Sequence, residues 1–221
     1  RVIVHEQFDG QRWKQRELPS NRRATPTGAG RSPESNTSSQ VWLVEASPVN
    51  ALPWDGSGRA NPNQLRVNRS GELQPLQASR ERQAYLVRDT GSPQPWQQRQ
   101  PSPADLELPA GSNPQLEALG ASWRDLATPE QRLAAAKQWF TQQDFRYSRS
   151  PGALPAQRGL DVFLFERREG FCGHYASAFT ALMRAAGVPA RVVSGYLGGT
   201  WVRPLGGAPY LDLRHSDAHA W

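Results

Sequence analysis

The chain holds one cysteine, Cys172, in a run that reads Gly-Phe-Cys-Gly-His-Tyr-Ala from Gly170 to Ala176. A thiol of ordinary pKa, near 8.5, is mostly protonated at neutral pH, and the thiolate is the nucleophile. Two devices lower that pKa. One is the positive end of a helix, whose first N–H groups have no intrahelical partner. Cys172 stands where a helix should begin. The other is an imidazolium partner, and His219 arrives 47 positions later in the run Ser216 to Trp221. Gly170 and Gly173 flank the cysteine and would let backbone amides approach a developing oxyanion, an effect worth about 2.7–4 kcal/mol per donor. The competing reading is that a lone cysteine is a small buried hydrophobe. Residue type alone leaves both open.

The elements that must position these groups are legible in the punctuation around them. From Cys172 to Ala186, Ala176, Phe179, Leu182 and Met183 recur at helical spacing, with Gly187 as the stop and Pro189 beyond it. Thr128-Pro129-Glu130 reads as a helix start, with Leu133, Ala136, Lys137 and Phe140 following at helical spacing to about residue 143. Residues 160–165 suit a helical turn or two. Residues 145–147, 191–196, 210–213 and 218–221 read as extended, the last two as neighbouring strands. The first hundred residues are different in kind. Short β patterns at 2–8, 41–44 and 83–88, and a hairpin over 65–73, alternate with turn-rich stretches. The resulting division is a β-rich domain over 1–100 with a long mobile loop at 18–40, a Pro-rich junction over 101–128, and a core over 129–221. His5 falls in the first of these.

Composition narrows the function classes. The net charge is +6 over 221 residues, and all but Lys14 and Lys137 of the 26 basic residues are arginine. The arginines are scattered among Gln, Ser and Pro without the aromatic interleaving of single-strand binders, which argues against nucleic acid as a partner. One cysteine excludes an internal disulfide. Four histidines and that cysteine offer no metal-ligand spacing, so no metal site is expected. No apolar run is long enough to span a bilayer. The abrupt start at Arg1 and the end at Trp221 suggest an excised piece of a longer protein.

The run Gly170 to Ala176, the continuation Leu-Met-Arg-Ala-Ala-Gly-Val-Pro-Ala-Arg-Val-Val-Ser-Gly-Tyr from Leu182 to Tyr196, and Ser-Asp-Ala-His-Ala-Trp from Ser216 to Trp221 together resemble the cysteine helix and histidine strand of the transglutaminase-like superfamily. Phe163 to Phe165 and the opening Phe8 to Trp13 are similar to the TgpA-type branch, the periplasmic portion of bacterial inner-membrane proteins. The motif-rich likeness covers about 129–221. It implies an α+β fold with a papain-like core, the cysteine helix packed on an antiparallel sheet, preceded by the β-rich domain. It implies a Cys-His-Asp site with Cys172 as nucleophile and His219 as base and later acid. The family's acid lies on the strand after the histidine strand, so the triad is expected to be incomplete here and the core C-terminally truncated. Asp217, at i, i+2 from His219 on one strand face, is the substitute to test, ahead of Asp212 and Asp161. Tyr147 and Trp139 are candidates for the side chain that completes the oxyanion hole, and each is as readily a core residue. His174 would point away from the thiol, and His215 reads as a surface residue.

The implied activity is acyl transfer on peptide or protein carboxamides through a thioester. An amine acceptor gives transamidation and water gives deamidation or peptide hydrolysis, so an amidase or peptidase of envelope peptides stays open. So does a binding scaffold without a working triad. No cofactor is expected, and no calcium loop rich in Asp and Asn is present. The resemblance further implies a periplasmic location, cell-envelope peptide or protein substrates, and flanking membrane segments in the parent protein.

Overall fold

The computed structural model describes residues 3–5, 7–14, 39–44, 52–54, 59–61, 63–67, 72–77, 81–88 and 100–221. The loop expected at 18–40 lies almost entirely outside them, as does the turn at 68–71. In chain order the strands are β1 (Ile3–His5), β2 (Gln7–Phe8), β3 (Trp13–Lys14), β4 (Ser39–Val44), β5 (Arg59–Ala60), β6 (Leu65–Val67), β7 (Leu73–Pro75) and β8 (Gln83–Arg88). Then come α1 (Pro114–Ser122), α2 (Pro129–Gln142), β9 (Arg146–Tyr147), α3 (Gly159–Asp161) running into a π-helical turn (Val162–Arg167), β10 (Glu169–Gly170) and α4 (Cys172–Ala185). The chain closes on β11 (Val192–Tyr196), β12 (Thr200–Val202), β13 (Tyr210–Asp212) and β14 (Ala218–Ala220). Helices and antiparallel sheets together make this the α+β fold anticipated.

Two units divide the chain: Arg1–Ile3 with Glu17–Gln100, and Val4–Arg16 with Pro101–Trp221. This corrects the division drawn from sequence, which put all of 1–100 together and treated 101–128 as a junction. The physical reason is apolar burial. Phe8 belongs to the core cluster of Leu116, Leu160, Phe163 and Leu182, and Trp13 stacks on it at 4.8 Å. The hairpin that presents both rings turns at Asp9, whose carboxylate accepts the N–H groups of Gln11 and Arg12 at 3.0 and 2.7 Å. Lys14 lies 2.8 Å from the same carboxyl and, with those bonds, holds its pKa down to about 2.

In the first unit β4 pairs antiparallel with β8 from Ser39↔Arg88 to Val44↔Gln83, and β5 flanks β8 on its other side. β6 and β7 form the expected hairpin, with Val67 opposite Leu73. Tyr85 and Val87 alternate inward on β8 and meet Leu52, Trp54, Leu65 and Leu73 in a separate small core.

The second unit is built around α4. From Ala178 nearly every side chain in its last two turns is buried, on all sides rather than on the single face that spacing suggested. Helix α1 approaches so closely that a Cβ on Gly120 would lie 2.4 Å from the Ala185 Cβ and 2.8 Å from the Leu182 carbonyl oxygen. Arg184, itself buried, donates to the carbonyls of Ala190, Ala104 and Glu107 at 2.8, 3.1 and 3.0 Å and lies 4.7 Å over the Trp13 ring. Arg191 pairs with buried Asp105 at 2.9 Å nearby.

On another side α4 packs against a sheet of order β1-β11-β14. β14 runs antiparallel to β11, with His219 opposite Gly195. β13 pairs with β12 in a separate two-stranded hairpin. The expectation that residues 210–213 and 218–221 are neighbouring strands is therefore corrected: β11 is the long apolar strand that the histidine strand needs as a partner, and residues 200–212 fold back on themselves.

Candidate active site

Cys172 is the first residue of α4, preceded by Phe171 in extended conformation as the N-cap. The segment before it is fixed by strand pairing. β10 runs parallel to β9, with Gly170 opposite Tyr147, and the Gly170 carbonyl accepts the Ser148 N–H at 2.9 Å. The first helical bonds run from the His174 and Tyr175 N–H groups to the Phe171 carbonyl, at 2.9 and 3.3 Å. The N–H groups of Cys172 and Gly173 precede them, and helix geometry leaves them without an intrahelical partner. The thiol is half-buried. The arrangement can place a thiolate and two donors at one helix end, which is what acyl transfer through a tetrahedral oxyanion requires.

The first turn is anchored in aromatic packing. Tyr175 sits three residues on from Cys172, on the same helix side. Its ring meets Phe140, Phe145 and Phe163 at 6.4, 5.7 and 5.1 Å. Burial, with Glu169 and Tyr147 nearby, pushes its phenol pKa up. A Cβ on Gly170 would lie within 2.9 Å of both Phe163 and His174, so this position admits only glycine without displacing a ring.

His219 lies on β14, which packs against α4. The cysteine helix and the histidine strand are thus packed against each other. The His219 ring is half-buried and meets Trp221 edge-on at 5.1 Å.

The three carboxylates considered as substitute acids are committed elsewhere. Asp217 does not share a strand face with His219. It ends a 3₁₀ turn, His215–Asp217, and its Oδ2 accepts the Arg214 N–H at 2.8 Å, so the side chain closes the turn that leads into β14. Asp212 pairs with Arg214 Nε at 2.8 Å. Asp161 is fully buried and accepts the N–H groups of Gln115 and Leu116 at 3.1 and 2.9 Å, capping α1. Asn113 returns the favour to α3, accepting the Leu160 and Asp161 N–H groups at 2.9 and 3.2 Å. Asn113-Pro114 was the readable sign of this helix start, masked in sequence by its place in a Pro-rich stretch.

The two oxyanion candidates part ways. Tyr147 is 59% exposed on β9, opposite Gly170, with its ring 6.3 Å from that of Tyr175. Trp139 is packed among Phe140, Phe145 and Phe165 at 5.4, 5.9 and 5.7 Å, a core position. His5 is placed by β1 beside β11 rather than in the β-rich unit. Its Nε2 lies 3.0 Å from Ser194 Oγ, and burial lowers its pKa. His215 is exposed in the turn before β14. Among the described residues no helix is long and apolar enough to cross a membrane.

The cysteine at a helix start, packed on an antiparallel sheet that carries the histidine, coincides with a family match: the pattern of the transglutaminase-like superfamily covers residues 118–221. The chain belongs to that superfamily. Over its full length it is 35% identical to a protein-glutamine gamma-glutamyltransferase of Pseudomonas aeruginosa, of which it spans about a third (32%). Over 41% of its length it is 31% identical to the uncharacterized protein YebA of Bacillus subtilis, spanning 13% of that protein. Two solved structures of the periplasmic domain of TgpA from Pseudomonas aeruginosa match the whole chain at 33% identity. One is superposed with a TM-score of 0.79 over 75% of the solved chain. The other, bound to ethylmercury, gives 0.75 over 77%. The TgpA-type likeness read from the motifs therefore extends over both units.

Proposed function

We propose that this chain is the periplasmic, substrate-facing part of a cysteine acyltransferase acting on peptide or protein carboxamides. The observation that carries the reading is the seating of Cys172 as the first residue of α4, beside two amides outside the helical bonding, on a helix that packs against the strand of His219. Cys172 Sγ attacks the carboxamide carbon, and the oxyanion is held by the N–H groups of Cys172 and Gly173, with Tyr147 as the candidate side-chain donor. His219 takes the thiol proton and passes it to the leaving ammonia as the C–N bond breaks. The thioester is then opened by a primary amine, giving a new amide, or by water, giving the acid. The gamma-glutamyltransferase relative favours a glutamine side chain as donor and an amine as acceptor. The substrates would be cell-envelope peptides or proteins, and the parent protein would carry flanking membrane segments.

A second reading has its own support. Asp217, Asp212 and Asp161 are each engaged with groups other than His219, and a domain in which no acid orients the imidazole would serve as a binding scaffold. One experiment separates the two. Incorporation of a fluorescent primary amine, as acyl acceptor, into a glutamine-rich donor protein is measured with the full-length parent protein and with its Cys172→Ala variant. Cys172-dependent incorporation is expected. Cys172-dependent ammonia release without incorporation would make the protein an amidase, and equal signals from parent and variant would leave the scaffold.

A further inference from the structure

We propose that His174 is a positioning residue for Cys172, acting through the backbone rather than on substrate: its neutral imidazole closes the first turn of α4 and fixes the peptide that leads into the thiol. This inference rests on the nucleophile role of Cys172 proposed above.

The geometry is specific to one peptide group. The Gly170–Phe171 peptide has its carbonyl held from one side by the Ser148 N–H of the segment following β9, at 2.9 Å. Its N–H, on Phe171, donates to His174 Nδ1 at 3.4 Å. Both ends of the peptide plane immediately before the Phe171–Cys172 link are thereby bonded. The next carbonyl, that of Phe171, receives the first two helical bonds. His174 thus does what a glutamate or glutamine three residues after the N-cap does in a capping box, with an imidazole nitrogen as acceptor. The ring is held for the task between Phe171 at 4.3 Å and Phe163 at 5.6 Å, and Gly170 lacks the Cβ that would collide with it. The His174 ring takes the N–H of Phe171, while the N–H groups of Cys172 and Gly173 are those that helix geometry leaves without an intrahelical partner.

An acceptor at Nδ1 requires the neutral tautomer protonated at Nε2. Protonation of His174 places an N–H against the Phe171 N–H and a positive charge at the positive end of α4. The charged group that acts on the ring is Arg167, at the end of the π-helical turn. Burial, then Arg167, lowers the His174 pKa, which keeps the cap neutral near pH 7. The sign follows directly. A histidine whose folded pKa is depressed contributes its stability above the ordinary histidine value and loses it as pH falls through the folded one.

The test uses two variants with opposite defects. H174Q keeps an acceptor and loses the ring; H174F keeps a ring between Phe163 and Phe171 and loses the acceptor. Two readouts are taken: the protection factor of the Phe171 amide in hydrogen exchange, and the rate of Cys172 alkylation by iodoacetamide across pH 4.5–8.5, a window set about the histidine reference value. H174Q should retain Phe171 protection and alkylation within about twofold of wild type, while H174F should lose roughly five- to tenfold in both. Wild-type protection should fall on acidification below the ordinary histidine range, and that of H174Q should stay flat. The proposal is overturned if H174F behaves as wild type, if H174Q loses as much as H174F, or if wild-type protection is independent of pH. Slow alkylation in wild type with the protection pattern intact would instead count against the nucleophile role of Cys172 and leave the cap standing.

Discussion

The two sides of the candidate site are built on different foundations. The cysteine side rests on α4, buried almost all round in its last two turns, clamped by Arg184 to three carbonyls and held at its start by β9, Phe163 and His174. The histidine side emerges from a region of exposed apolar side chains. Between β11 and β14 the β12–β13 hairpin leaves Leu197, Trp201, Leu205, Tyr210 and Leu211 open, with Leu205 at the tip fully exposed. Cys172 is held by a core, whereas the segment joining the His219 strand to the rest has little of its own apolar surface covered.

That contrast can be broken by mutation, and the largest effect is expected where burial is deepest. Asp161→Ala strips two helix N–H groups of their acceptor in a buried site, and should lower unfolding free energy by about 2–4 kcal/mol in urea titrations. The same variant, under conditions where it is folded, should alkylate at Cys172 as fast as wild type. A selective loss of thiol reactivity at unchanged stability would return Asp161 to the list of catalytic acids. Gly120→Ala drives a methyl into the Ala185 side chain and the α4 backbone and should cost about 1–3 kcal/mol. A neutral result there would show that α1 and α4 are less tightly joined than the 2.4 Å approach implies. At the other extreme, Trp201→Ser on the hairpin should change stability by less than about 0.5 kcal/mol. The same change should raise KM for a protein substrate if the hairpin contacts it. A large stability loss at Trp201 would mean the two sides are equally buried, and the contrast would fail.

The legible parts of the fold share one property, that a local signal stated them. Thr128 and Gln131 each donate the backbone N–H to the other's side-chain oxygen at 3.2 Å, the capping pattern that Thr128-Pro129 announced, and α2 ends at Gln142. Gly187, at φ +75°, stops the cysteine helix as its position suggested. Alternation in residues 83–88 gave β8. What was not legible depended on partners distant in sequence. Trp13 and Phe8 looked like part of a β-rich domain because nothing local says that their partners are Arg184, Leu116 and Phe163. Asp217 looked like a strand residue because a 3₁₀ turn of three residues carries no periodicity to read.

The sequence by itself determined the reactive residue types, the helix that begins at Cys172, the strand that carries His219 and, through their order, the family. A cap, a stop and an apolar period act over a few residues, so the chain states them directly. Only the tertiary structure decided which polar groups are free to take part in chemistry. It committed Asp161 to α1, Asp217 and Asp212 to the turn at Arg214, Trp139 to an aromatic core and His174 to the amide before the thiol. The reason is that a buried or turn-forming backbone N–H must find an acceptor wherever the fold places it. That choice is made in space, and residue type alone does not record it.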